Sequence, residues 1–162
     1  MPYAEGTNVS VDRSMSELQA LLRKYGASGF AFGSDDDARQ TRVQFKLAGR
    51  VYRLDVAHPD PAAYRVRMNN GQYRSEQAAT NAAAREEQRH WRSLVLVIKA
   101  ILVGVADGVL TAEDALMAFT VLPDGSTLSQ WAAPQLDHAL SSKQMPGLLP
   151  GAGPIPLEGR RS

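Results

Sequence analysis

Residues 75–106 read SEQAATNAAAREEQRHWRSLVLVIKAILVGVA, the longest uninterrupted helical pattern in the chain. At about 100° per residue, Trp91, Leu94, Val95, Ile98, Ile101, Leu102 and Val105 fall in one sector, the apolar face of an amphipathic helix. Arg85, Arg89, Arg92 and Lys99 fall on the opposite side, within a stripe roughly 80° wide. The remainder of the chain is expected to cover the apolar face, and the stripe is its sharpest functional hint.

The two halves of this helix differ. Arg85, Glu86, Glu87, Gln88 and Arg89 tolerate water. From Ser93 to Ala106 the only charge is Lys99, with Leu96 and Val103 on the same side as the cations. This half is expected to be covered nearly all round, which obliges Lys99 to snorkel or find a partner. A membrane span needs about 20 apolar residues, so a buried core helix is the expectation and no membrane partner is implied.

A chain of 162 residues with 44% hydrophobic and 22% charged residues lies near the globular average and can form one core. One domain over residues 1–144 is expected. There is no cysteine, which excludes a disulfide framework, thiolate chemistry and cysteine-based zinc sites. MPYAEGTNVS lacks the basic and apolar runs of a secretory signal, and a cytoplasmic location is expected. The net charge of +1 conceals segregation, because residues 39–99 hold twelve Lys or Arg against five Asp or Glu, while each flank carries a net −3. Such asymmetry suits a cationic surface aimed at a polyanion, or acidic ends folded onto a basic middle.

In chain order, Ser14 and Glu17 have the form of a capping box, predicting a helix from Met15 to about Tyr25 that ends at Gly26. Ser28 to Gly33 reads as a short strand. Val43, Phe45 and Leu47 alternate with Arg42, Gln44 and Lys46, and Tyr52, Leu54 and Val56 alternate with Val51, Arg53 and Asp55. These are two strands joined at Ala48-Gly49-Arg50, with Arg42, Lys46 and Arg53 on the face turned to water. Pro59 and Pro61 stop the second strand. Tyr64, Val66 and Met68 suggest a fourth strand or an extended arm before Asn69-Asn70-Gly71.

Beyond the long helix, Asp107-Gly108 makes a break and Thr111 with Asp114 opens a helix through Phe119. Pro123-Asp124-Gly125 is a turn. A last helix from Thr127 to about Leu140 is expected to turn Trp131, Leu136 and Leu140 inward, with Pro134 kinking or dividing it. Residues 145–162 form a tail rich in Gly and Pro, expected to be extended or disordered.

No pattern in the sequence carries catalysis. His58, His90 and His138 lie in separate elements without metal-ligand spacing. Asp35, Asp36 and Asp37 lack the continuation of a calcium loop and read as a solvated turn. No glycine loop opens a helix to cradle phosphate, and no G-x-S-x-G is present. Neither a metal nor a cofactor is expected, nor is enzymatic activity.

RSMSELQALLRKYGASGFAFG, GRVYRLDV, HWRSLVLVIKAIL and VLPDGSTL together resemble a family of small proteins of bacteriophage and prophage genomes, over most of residues 9–150. Ile101 and Val103 stand where related patterns carry charged or larger residues. The resemblance implies a phage or mobile-element setting in a host cell, with no activity attached. The order of elements, strands and then a long basic helix, also resembles the core of single-strand annealing proteins, in topology alone.

The expectation is an α+β domain, a small antiparallel sheet of three or four strands packed against a long central helix and further helices. Its expected role is that of a nucleic-acid-binding accessory protein, with single-stranded DNA the favoured ligand and Arg42, Lys46, Arg53, Arg85, Arg89 and Arg92 lining one groove. The alternative is a protein-binding module that inhibits or adapts a host factor. Self-association into a homo-oligomer is compatible with either.

Overall fold

A computed structural model describes residues 9–145 and 155–156. Its architecture is the expected α+β, with helices α1 (Val11–Lys24) and α2 (Glu76–Ala106) around a sheet of β1 (Ser28–Asp35), β2 (Gln40–Leu47) and β3 (Arg50–Ala57). The sheet is antiparallel throughout, in the order β1-β2-β3. A 3-10 turn over Pro61–Tyr64 precedes α2, and α3 (Ala112–Leu116), a second 3-10 turn (Met117–Phe119) and α4 (Leu128–Ser142) follow it. The short ladder of β4 (Gln144–Met145) and β5 (Ile155–Pro156) comes last. The rest of the predicted tail lies outside the described residues.

Two tight turns set the register. Leu47 pairs with Arg50, and the two residues between them, Ala48 and Gly49, both have positive φ (49° and 79°). This is the backbone twist that a two-residue hairpin needs. Gly29 (φ 61°) sits in the irregularity between the Ser28 and Ala31 pairings, where β1 holds one extra residue against β2. With this register, Val43 faces Leu54 and Phe45 faces Tyr52 on the core side.

On α2, Trp91, Val95, Ile98 and Leu102 are buried at helical spacing. They join Leu18 and Leu22 of α1, Val43, Phe45, Tyr52, Leu54 and Val56 of the sheet, and Leu116 of α3 in one core. The predicted apolar face therefore meets the predicted sheet face. Ser75 caps α2, its side chain accepting from the Ala78 backbone.

Five local expectations are corrected. Helix α1 starts a turn early, capped by Ser10, whose Oγ accepts from the Arg13 backbone; Ser14 is buried inside it. The S-x-x-E spacing at Ser14 thus marked a helical position and not the cap. Tyr64 to Met68 forms no strand of the sheet: the proline-led 3-10 turn takes Tyr64, and residues 66–74 fold back on themselves around an isolated Arg67–Tyr73 bridge. The edge of β3 is met instead by residue 120, through the Tyr52–Thr120 bridge and the Val121 N–H donating to Val51 O.

The C-terminal half of α2 is not covered all round. Val97 and Val103 are exposed, and so is Lys99, because α1, the sheet and α3 lie on the opposite side. In α4 no residue is buried, and Trp131, Leu136 and Leu140 face outward, Leu140 at 70% exposure. Separations of five and four residues cannot place these three on one helix face at about 100° per residue. The helix runs undivided through Pro134 from a capping box in which Thr127 and Gln130 bond reciprocally. No described helix is long and apolar enough to cross a membrane.

Candidate nucleic-acid interface

Strand alternation places Arg42, Gln44 and Lys46 on the sheet face pointing away from the core, with Arg53 and Asp55 beside them on β3. Helix α2 packs on the other face. The hairpin cations and the α2 stripe therefore lie on opposite sides of the layer, and the expected common groove does not form.

The six residues have distinct surroundings. Arg53 is only 8% exposed, correcting its expected exposure. Its Nη1 donates to Gly125 O at 2.6 Å and its Nη2 to Gln130 Oε1 at 2.8 Å. Its Nε lies 3.5 Å from Asp55 Oδ2, an ion-pair contact too long for a good hydrogen bond. The capping box of α4 and the turn before it have closed over this part of the outer face. Arg42 pairs with the same carboxylate, Nε to Asp55 Oδ1 at 3.2 Å. Lys46 is exposed without an ionic partner among the described residues.

On α2, Arg92 bridges to Glu17 of α1 at 2.6 Å, tying the two helices together. Arg89 pairs with Glu86, which also lies 3.1 Å from His90 Nε2. Arg85 is exposed and has no ionic partner among the described residues. Half-exposed charge pairs of this kind hold geometry more than they hold stability.

His58 and His90 tether the end of β3 to α2. His58 Nε2 is 2.7 Å from Thr41 Oγ1 and 3.8 Å from Glu87, and His90 Nδ1 lies 3.4 Å from Ala57 O. Tyr64, on the adjacent 3-10 turn, has its phenol pushed above the usual value by burial and by Glu86, with Arg89 opposing. The 3-10 turn packs on α2 at that level.

Asp35 and Asp36 serve their own loop: Asp35 Oδ1 accepts from the Ala38 backbone and Asp36 Oδ1 from Ser34 Oγ. No group of three or more His, Asp or Glu among the described residues is placed to hold a metal ion.

The structure adds cations that the sequence reading did not place at a site. Between Tyr64 and Ser75 the chain leaves α2, turns and returns to its N-terminus. Residues 65–73 are all exposed. Arg65, Arg67 and Arg74 lie in this arm, and residues 61–75 contain no Asp or Glu. The arm begins beside Glu86 and Arg89, within a turn of Arg85. The missing signal was the local absence of acids, which alternation on the flanking strands obscured.

No family model, curated protein or solved structure matches the chain.

Proposed function

We propose that this protein is a non-enzymatic nucleic-acid-binding accessory protein of a phage or prophage, engaged with single-stranded DNA or its recombination. The observation that carries this reading is where unneutralised positive charge collects. Of the twelve cations in residues 39–99, five pair with carboxylates and seven have no such partner among the described residues. Four of the seven, Arg65, Arg67, Arg74 and Arg85, fall in a stretch whose only acid is Glu76. A polyanion meeting these side chains breaks no internal ion pair, so their full charge is available to it. Recruiting Arg92 or Arg42 would mean competing with Glu17 or Asp55. The interface therefore moves from the two-sided groove to the arm and the adjoining turn of α2.

Fluorescence anisotropy with labelled single-stranded and duplex oligonucleotides over a salt series tests the reading. Three or four phosphate contacts give a log-log salt slope of about −2 to −3 on single strands. Arg85→Ala removes about 0.7 of that slope and leaves thermal unfolding unchanged, while Arg92→Ala leaves the slope unchanged. No binding to any oligonucleotide at low salt by the folded protein sinks the proposal.

The second reading, a protein-binding module directed at a host factor, is favoured by α4, which presents Leu136 and Leu140, four residues apart on one helix face, to solvent without burying a residue of its own. It predicts binding that a Leu136→Ala, Leu140→Ala double variant abolishes and that salt barely affects.

A further inference from the structure

Residues 66–74 form a small hairpin held by backbone hydrogen bonds at its base and tip. The Met68 N–H donates to Gln72 O at 2.8 Å and the Arg74 N–H to Val66 O at 3.0 Å. Arg67 and Tyr73 are thereby an antiparallel pair without hydrogen bonds between them, the type that brings side chains closest together. At the tip, the Gly71 N–H donates to Met68 O at 2.9 Å, Asn70 Oδ1 accepts from the Gln72 N–H, and Gly71 takes φ 82°. A turn closed by a left-handed glycine is a standard three-residue hairpin loop. Arg67 Nε donates to Gly71 O at 3.3 Å, which holds the guanidinium over the tip and leaves its outer N–H groups without a partner among the described residues.

One face of this arm thus carries a tyrosine ring, 64% exposed, beside a positioned guanidinium; the other carries exposed Val66 and Met68. None of these apolar groups joins the core. An aromatic ring next to a phosphate-binding cation suits an unpaired base, which offers a π-face and a neighbouring phosphate together. A duplex offers the phosphates but keeps its bases stacked on one another.

We propose that the arm is a base-stacking element, with Tyr73 as the platform and Arg67 as the contact to the adjoining phosphate, and that it confers preference for single strands. This rests on the nucleic-acid reading and specifies the ligand of the same site. Stacking is sequence-tolerant, so little sequence preference accompanies it.

The test compares an oligothymidylate with an abasic strand of equal length, which keeps the phosphates and lacks the bases, using the full chain. The wild-type protein binds the oligothymidylate roughly 5- to 100-fold tighter than the abasic strand, with similar salt slopes on both. Tyr73→Ala erases that difference without changing the slope, whereas Tyr73→Phe retains it. Arg67→Ala lowers the slope on both strands. Equal wild-type affinity for the two strands, with normal salt dependence, overturns the stacking role and leaves phosphate binding intact. No binding to either strand overturns both readings. Binding to vesicles containing phosphatidylserine that depends on Tyr73, without binding to either strand, overturns the proposal in favour of a membrane surface.

Discussion

Arg42 and Arg53 share a sheet face and a carboxylate, yet their replacement by alanine is expected to have very different effects. Arg53 is nearly buried and donates two short hydrogen bonds, to Gly125 O at 2.6 Å and Gln130 Oε1 at 2.8 Å. Hydrogen bonds from a charged donor contribute about 1.5–3 kcal/mol each. Gly125 and Gln130 are themselves exposed and regain water when the guanidinium goes, which offsets about half of the sum; the net loss for Arg53→Ala is about 1.5–3 kcal/mol. Arg42 makes one exposed ion pair, so Arg42→Ala loses about 0–1 kcal/mol. At roughly 2–4 °C per kcal/mol, Arg53→Ala lowers Tm by about 3–12 °C. Urea denaturation of both variants at unchanged m-value measures the difference. Because Arg53 anchors the first turn of α4, amide exchange at Leu128 to Gln135 also accelerates in Arg53→Ala and not in Arg42→Ala. Equal losses within about 0.5 kcal/mol would refute the claim that α4 is pinned to the sheet through this side chain.

Trp91 is fully buried, and its Nε1 has no hydrogen-bond partner among the described residues. Trp91→Ala loses about 3–5 kcal/mol in chemical denaturation, and Trp91→Phe, which deletes an unpaired donor, only about 1–2 kcal/mol; a loss under about 1 kcal/mol for the alanine variant contradicts the packing described. Ser10→Ala removes the cap of α1 and loses about 1 kcal/mol. Ser14→Ala, at a buried hydroxyl with no partner among the described residues, is neutral or slightly stabilising; the reverse ranking in thermal melts would restore Ser14 as the cap.

Much of the fold was legible because it depends on local periodicity. The period of about 3.6 in residues 75–106 identifies both α2 and the face it buries, and the period of two in residues 42–56 identifies the hairpin and its core side. Each needs only the alternation of apolar and polar residues, and the two meet in one core as expected. The turn inside the hairpin is one residue shorter than the expected Ala48-Gly49-Arg50, because Arg50 already pairs with Leu47 in the ladder. The candidate site was less legible. Alternation says which face of a strand a residue is on, but not what later covers that face.

By itself, then, the sequence determined the α+β class, the long helix and its apolar stripe, the core-facing side of the hairpin strands and the excess of cations in residues 39–99. Those properties are set by neighbours within a turn or a strand pair. Only the tertiary structure decided which cations are available. Arg53 is enclosed by residues more than seventy positions away, and Arg92 is paired with Glu17, seventy-five positions earlier in the chain. Arg65 and Arg67 are exposed and Arg74 is half-exposed, on an arm where none of the three meets a carboxylate among the described residues. Ion pairing and burial depend on distances in space, and a charge that reads the same along the chain is neutralised or left open by which segment the fold brings against it.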